Sequence, residues 1–193
     1  MKNGHFYISI IGFILLNSCQ KKEITIKNES FKWTINIPKN FKKVSKNNWD
    51  KVKLNGIDSF KKATNKNVDV DNIEKTLFAY KNGTFHTLES NYKIIDTTKK
   101  HIRNNKKLNI ATYEFLKKVM KNTILDSLSS KEMISGMEFN TFEIILSYPN
   151  GEKLTTKSFR RLLGNKIFTI NILYKDKIIG KELINSIVNS KFE

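Results

Sequence analysis

The chain is poor in the residues that cross-link small exported domains or ligate metals. Its 193 residues include one cysteine, Cys19, two prolines and three histidines. A single thiol excludes an internal disulfide and leaves no set of cysteines for a zinc site. Beyond the first eighteen residues the histidines are His86 and His101, and neither has a partner at metal-ligand spacing. We therefore expect no metal and no cofactor.

Arginine is also scarce, although the formal net charge is +17 at pH 7. The arginines are Arg103, Arg160 and Arg161, and the other basic residues are lysines spread along the chain. Proteins that read nucleic acids favour arginine, whose guanidinium grips phosphates and guanine edges. We expect no nucleic-acid partner. The lysines fit either the codon bias of an AT-rich genome or a lysine-coated face resting on anionic lipid headgroups.

The N-terminus has the pattern of an export signal. Lys2 gives it a positive start, residues 6–16 are uncharged and mostly apolar, and Ser18 is small. The apolar run is shorter than the roughly 20 residues that cross a bilayer as a helix. This order predicts a signal peptide over residues 1–18, with cleavage after Ser18.

Leu16, Ser18 and Cys19 resemble the lipobox of bacterial lipoproteins, in which the signal is removed and the cysteine carries the lipid. The resemblance implies acylation of Cys19, palmitate included, and residues 19–23 as a short tether. Several acyl chains hold a protein firmly because each buried methylene contributes about 0.8 kcal/mol. We expect a bacterial envelope protein anchored by lipid to the outer membrane, on its periplasmic or its surface face. The alternative is an ordinary cleaved signal.

Residues 24–193 are long enough for one domain with its own core. Apolar residues alternate with polar ones over residues 31–37, which predicts a half-buried strand. Asn82 and Gly83 separate two further extended segments, 76–80 and 84–88, as in a hairpin. The last third predicts a meander of three antiparallel strands, over residues 142–148, 154–162 and 168–174.

Helical spacing marks two other segments. Residues 111–128 carry apolar residues at i+4 intervals, and Asp176 is a candidate cap for a final helix. We expect a loop or short helix over 39–53, a turn at Asn55 and Gly56 followed by a strand at Ile57 and Phe60, and a solvated loop over 97–109. The fold class is α+β, an antiparallel sheet covered by two amphipathic helices. One core should unite the sheet with the two helices through Ile144, Leu146, Ile170, Ile172, Leu116, Met120, Leu183 and Ile187.

A first strand running into Pro38, the late meander and a closing helix that leads to Phe192 resemble the PsbP-like α/β/α sandwich. The chain is similar in this respect to small lipoproteins of Bacteroidetes. The resemblance implies a non-catalytic binding or assembly accessory at the membrane. It identifies no functional residues.

Catalytic motifs are missing from the sequence. His86 has Glu89 and Ser90 nearby, but no Gly-x-Ser-x-Gly turn presents a nucleophile. We expect a binding protein whose partner is anionic headgroups or another envelope protein, with Trp49 as an exposed aromatic contact. The alternatives are an envelope hydrolase with an unrecognised site and an immunity-type protein that docks on a neighbour.

Two tripeptides match the pattern on which exported Bacteroidetes proteins are O-glycosylated. They consist of an aspartate, a hydroxyl residue and then an apolar residue or threonine, and they begin at Asp96 and Asp126. The resemblance to that group therefore implies Thr97 and Ser127 as glycosylation sites.

Replacement of Cys19 tests the anchor. Cys19→Ser should block acylation, so the variant should incorporate no labelled fatty acid. The variant should accumulate as an unprocessed or a soluble form, whereas the native chain should stay bound to membranes through its lipid. Equal labelling of both proteins would show that Cys19 is not the attachment site.

Overall fold

In a computed structural model, which describes residues 24–65, 74–96 and 105–193, the chain forms two antiparallel sheets and three α-helices. The main sheet has the strand order β3-β4-β5-β9-β8-β7-β6, and the small sheet has the order β1-β2-β10. The strands are β1 (Ile24–Asn28), β2 (Trp33–Ile37), β3 (Lys42–Lys43), β4 (Lys75–Lys81), β5 (Thr87–Ile94), β6 (Ile124–Ile134), β7 (Met137–Ser147), β8 (Lys153–Leu163), β9 (Lys166–Tyr174) and β10 (Lys191–Phe192). The helices are α1 (Lys46–Thr64), α2 (Asn105–Val119) and α3 (Lys177–Val188).

One face of the main sheet, the core face, is mainly apolar. Directly opposed residues of neighbouring strands point to the same face, so Phe159, its partner Ile170 and the pair Leu88 and Ile172 all lie there. The small sheet and α3 cover this face and complete the core cluster. At full burial each such large side chain contributes roughly 1.5–3 kcal/mol.

Trp33 lies at the centre of the core. Its ring stacks on Phe78 and Phe192 at centroid distances of 5.5 and 5.8 Å. Its indole N–H donates to the hydroxyl of the buried Ser190 at 2.9 Å. The hydrogen bond satisfies the one polar atom of the indole, which otherwise would be costly to bury.

The predicted α+β class, the C-terminal meander and the closing helix are confirmed. Strands β7, β8 and β9 pair in antiparallel register across tight turns at Gly151 and Gly164, both with positive φ. The Asp176 carboxylate caps α3 by accepting from the N–H groups of Ile178 and Ile179. These elements carry strong local signals, so their positions follow from the sequence.

The prediction for residues 39–64 was right only in part. A short helix was one of the two alternatives for residues 39–53, and α1 does begin there, after the Ser45 cap. It continues in place of the strand expected at Ile57 and Phe60 and ends at Asn65, which lies in the left-handed region. Gly56 lies inside the helix and marks no turn. The half-buried stripe of α1 has helical spacing but includes polar side chains; its members are Trp49, Lys53, Ile57, Phe60 and Thr64.

The predicted helix over 111–128 was also wrong in its second half. α2 ends at Val119, Asn122 takes a positive φ, and β6 begins at Ile124. Ile124 and Leu128, four residues apart, fit a helical ridge, but the same spacing puts them on one face of a strand. α2 also starts at Asn105, inside the predicted solvated loop, of which residues 97–104 lie outside the described part of the chain.

The hairpin is confirmed with a longer turn, because β5 starts at Thr87 and not at 84.

The prediction of one core shared by the sheet and the two predicted helices was wrong. Ile144 and Leu146 are buried but pair with Thr156 and Leu154, on the side opposite the core face. Leu116 and Met120 are half-buried and lie outside the core cluster, which includes Ile170, Ile172, Leu183 and Ile187.

None of the helices within the described residues combines the length and the apolar character that a membrane crossing requires.

Two helix glycines provide a matched test of the packing. A Cβ at Gly180 in α3 would overlap the Tyr174 ring, whereas a Cβ at Gly56 in α1 meets no atom within 4 Å. Gly180→Ala should therefore lower the free energy of unfolding by about 1–3 kcal/mol. Gly56→Ala should raise it by roughly 0.5–1 kcal/mol, since alanine favours the helix. Urea unfolding measures both, and equal effects of the two changes would contradict the packing of α3.

Candidate ligand-binding cavity

The second face of the main sheet, the helix-pair face, carries polar side chains beneath α1 and α2. Residues that lie opposite each other on neighbouring strands form two rows of side chains, which run across the strands at the centre of this face. The first row runs through Asn91, Thr169, Arg160, Asn140 and Lys131. The second consists of Glu89, Asn171, Ser158, Phe142 and Ser129.

A cavity of about 830 Å³ lies where α2 crosses β6 and β7. Its floor is the end of the two rows, at Asn140, Phe142 and Ser129, and its roof is α2. Its volume lies within the range of about 300–1,000 Å³ that small-molecule sites occupy. The lining residues are Asn105, Lys106, Asn109, Ile110, Tyr113, Glu114, Ser127, Ser129, Ser130, Lys131, Asn140, Thr141 and Phe142.

Two hydrogen bonds hold α2 over the sheet and keep the cavity open. The Asn109 amide donates to the Ser129 hydroxyl at 3.1 Å. The Tyr113 hydroxyl donates to the Leu125 carbonyl at 3.2 Å. The first contact joins two side chains and the second joins a side chain to the backbone of β6, so both attach α2 to that strand.

Trp49 is held by the sheet, contrary to the prediction of an exposed loop aromatic. It belongs to α1 and is half-buried, and its indole N–H donates to the Glu89 carboxylate at 2.6 Å. The Asn171 amide donates to the other oxygen of Glu89 at 2.8 Å. Glu89 therefore fixes α1 and has both oxygens occupied.

Arg160 and Glu74 form an ion pair at 4.0 Å beside this network. Burial raises the pKa of the Glu74 carboxyl above its usual range, and the nearby Arg160 charge opposes this only in part. Burial likewise lowers the pKa of the Arg160 guanidinium, opposed by Glu74. The pair is partly buried, with 17% of the Arg160 side chain and 30% of the Glu74 side chain exposed.

Asn91, at the far end of the first row, is 2% exposed, and its side-chain oxygen has no hydrogen-bond partner. A buried acceptor without a donor costs about 1–3 kcal/mol. The helix-pair face therefore keeps an acceptor without a donor at Asn91, two strands away from Arg160 in the first row.

Of the residues predicted as sites, Ser127 lies at the cavity. It is exposed on β6, where O-glycosylation stays a prediction. Cys19, Ser18 and Thr97 lie outside the described residues, and so does His101. The cavity was missed although its walls come from the consecutive elements α2, β6 and β7, because residues 111–128 were predicted as one helix and β6 was not recognised.

The residues considered for a hydrolase do not come together. Ser90 is buried and donates to the Thr169 carbonyl at 3.1 Å. The Asp176 N–H donates to Nε2 of His86 at 3.3 Å, so Nδ1 carries the proton and donates to the Asn82 carbonyl at 3.0 Å. Both side chains serve the fold. In the described parts of the chain, no three His, Asp or Glu side chains meet as a metal-binding group.

Comparison with known proteins identifies the fold. No protein family and no curated protein sequence matches the chain. The solved structure of the PsbP protein of a Synechocystis cyanobacterium, CyanoP, superposes with a TM-score of 0.55 at 8% identity, over 89% of this chain and 92% of that one. The similarity shows a PsbP-like fold and, at this identity, nothing about function.

Two further solved structures are less similar. The Ran-binding protein Mog1p of Saccharomyces cerevisiae has a TM-score of 0.44 at 10% identity, over 86% of this chain and 93% of its own. LpqN of Mycobacterium tuberculosis, described as involved in cell envelope biogenesis, has a TM-score of 0.35 at 10% identity, over 88% and 90%.

Glu74 generates a pH prediction. Because its pKa is higher in the fold than the unfolded value of about 4.3, protonation stabilises the fold, and this contribution is lost as the pH rises through the folded pKa. Glu74→Gln should therefore be at least as stable as the native chain at about pH 8 and lose its advantage towards about pH 4.5. Urea midpoints across this range measure the effect.

Glu152 is the matched control, since its hydrogen bond with Lys175 lowers its carboxyl pKa. The stability that its charge contributes is present above the unfolded pKa and lost in acid. Glu152→Gln should thus change stability in the opposite direction to Glu74→Gln. The same direction for both variants would contradict the burial of Glu74.

Proposed function

We propose that the protein is a non-catalytic binding accessory of the bacterial cell envelope, anchored through lipid on Cys19, with the cavity beneath α2 as its binding site. The cavity carries the proposal, because it is large enough for a ligand and presents hydrogen-bonding groups to it. The PsbP-like fold supports an accessory role through the resemblance noted for such proteins.

The chemistry of the cavity favours binding over hydrolysis. A serine becomes a nucleophile when a general base lies within hydrogen-bond reach. The Ser129 hydroxyl accepts from Asn109, and the hydroxyls of Ser130 and Thr141 share a hydrogen bond of 2.6 Å. Within the described residues neither serine contacts a histidine or a carboxylate.

The predicted lipid anchor and the positive charge of the chain both support a position at the membrane surface. Removal of residues 1–18 takes away one lysine and leaves a net charge of +16. A lipid on Cys19 would hold the domain close to the bilayer because the first described strand begins at Ile24. Each lysine near an anionic surface then contributes about 1 kcal/mol.

One observation favours docking on a neighbouring protein as a second candidate function. β6 is an edge strand of 11 residues that pairs on one side, with β7, and with no described strand on its other side. Ile124 and Leu128 on it are 70% and 62% exposed. An edge of this kind can accept a strand from a partner.

A photo-crosslinker placed in the cavity tests the binding role in intact cells. A benzophenone amino acid at position 140 should form a discrete adduct with the bound ligand, because Asn140 is exposed on the cavity floor. The control position is Asn185, an exposed asparagine in a separate groove beside α3. Adduct mass after purification in detergent is the measurement.

An adduct at position 140 that is missing at position 185 supports the proposal. No adduct at position 140, or the same adduct at both positions, contradicts it. An adduct from a crosslinker at Leu128, without one at position 140, would favour docking through β6.

A further inference from the structure

We infer that the ligand of the cavity is a saccharide, held by the amide and hydroxyl groups of the cavity floor and by the rings of Tyr113 and Phe142. The inference rests on the proposed function and adds the chemical class of the ligand. It follows from the kinds of polar group that the cavity presents, from its rings and from its charge.

The polar groups of the cavity match sugar hydroxyls. Asn140 is exposed, and its side-chain amide has no hydrogen-bond partner among the described residues. Ser127 and Ser129 offer hydroxyls on the neighbouring strand. Amides and hydroxyls both donate and accept hydrogen bonds, as each hydroxyl of a sugar does. An ionised carboxylate can only accept hydrogen bonds, and a lysine can only donate them.

The rings supply the apolar contact that the C–H face of a sugar needs. Tyr113 stands on the α2 wall, with its hydroxyl fixed by the Leu125 carbonyl. Phe142 is half-buried on the β7 wall. A pyranose between these walls has polar hydroxyl edges for the amides and apolar faces for the rings. A lipid acyl chain has no group that could replace water on Asn140 and the serines.

The charge of the cavity disfavours a site built for an anion. Lys106, Lys131 and Glu114 line it, and all three are exposed. Arg160, the neighbour of Asn140 in the first cross-strand row, is the cation closer to the interior, and it is paired with Glu74. The two lysines are well hydrated and would bind an anion only weakly, and the Glu114 carboxylate would repel it.

Calorimetric titration of the full lipidated chain in detergent tests the inference. The probes are tetrasaccharides of N-acetylglucosamine, glucose, mannose and galactose, so that the envelope sugar need not be known. At least one should bind, and Asn140→Ala should weaken that binding by about tenfold, which is the effect of about 1.4 kcal/mol. Asn185→Ala makes the same chemical change outside the cavity and should leave the affinity unchanged.

Phe142→Leu tests the contribution of the rings to binding separately from that of the amides. It should weaken binding while Tyr113→Phe, which keeps the ring, weakens it less. Thermal unfolding of each variant shows whether it is folded; Asn140 is exposed, so its variant should melt like the native chain.

Lack of binding by all four tetrasaccharides at millimolar concentration would overturn the inference. If the adduct at position 140 still formed in cells, the proposed binding function would stand with another ligand class. Binding that Asn140→Ala and Asn185→Ala weaken equally would overturn the inference as well, because it would place the sugar outside the cavity.

Discussion

The strand register of the main sheet is the constraint on which the rest of the structure depends. Side chains alternate between faces along each strand, and five long strands keep the same alternation in step. One face is therefore mainly apolar and holds the small sheet and α3, and the other carries two polar rows. A slip by one residue would exchange Phe159 or Ile170 for a polar neighbour and place that neighbour in the core.

The polar face explains why α1 and α2 are attached so differently from α3. Neither helix has a buried residue, whereas α3 buries Leu183 and Ile187. The helix pair covers the buried Ile144 and Leu146, and it is also held by specific hydrogen bonds such as those of Trp49 and Tyr113. A neutral bond contributes about 0.5–1.5 kcal/mol net, and one to a carboxylate about 1.5–3 kcal/mol. Elements held in this way open at lower free energy than the core. A cavity beneath α2 is thus a direct result of the polar face.

Prediction from sequence succeeded where local signals agree. The meander was predictable because alternation and turn glycines coincide at Gly151 and Gly164. The full length of α1 was missed because Lys53 interrupts its stripe and Gly56 imitates a turn. The end of α2 was missed because i+4 spacing fits a strand as well as a helix. The polar rows were not predictable, since Asn91 and Asn140 become neighbours of Thr169 and Arg160 only through the register.

The hydrogen bond between Trp33 and Ser190 joins residues 157 positions apart. β2 pairs with β10 beside it, so the small sheet takes its members from both ends of the described chain. Its third strand, β10, supplies Lys191 and Phe192, far along the chain from β1 and β2. Loop closure over such a separation also slows folding. An N-terminal fragment that lacks β10 therefore cannot complete the core around Trp33, however well its own strands pair.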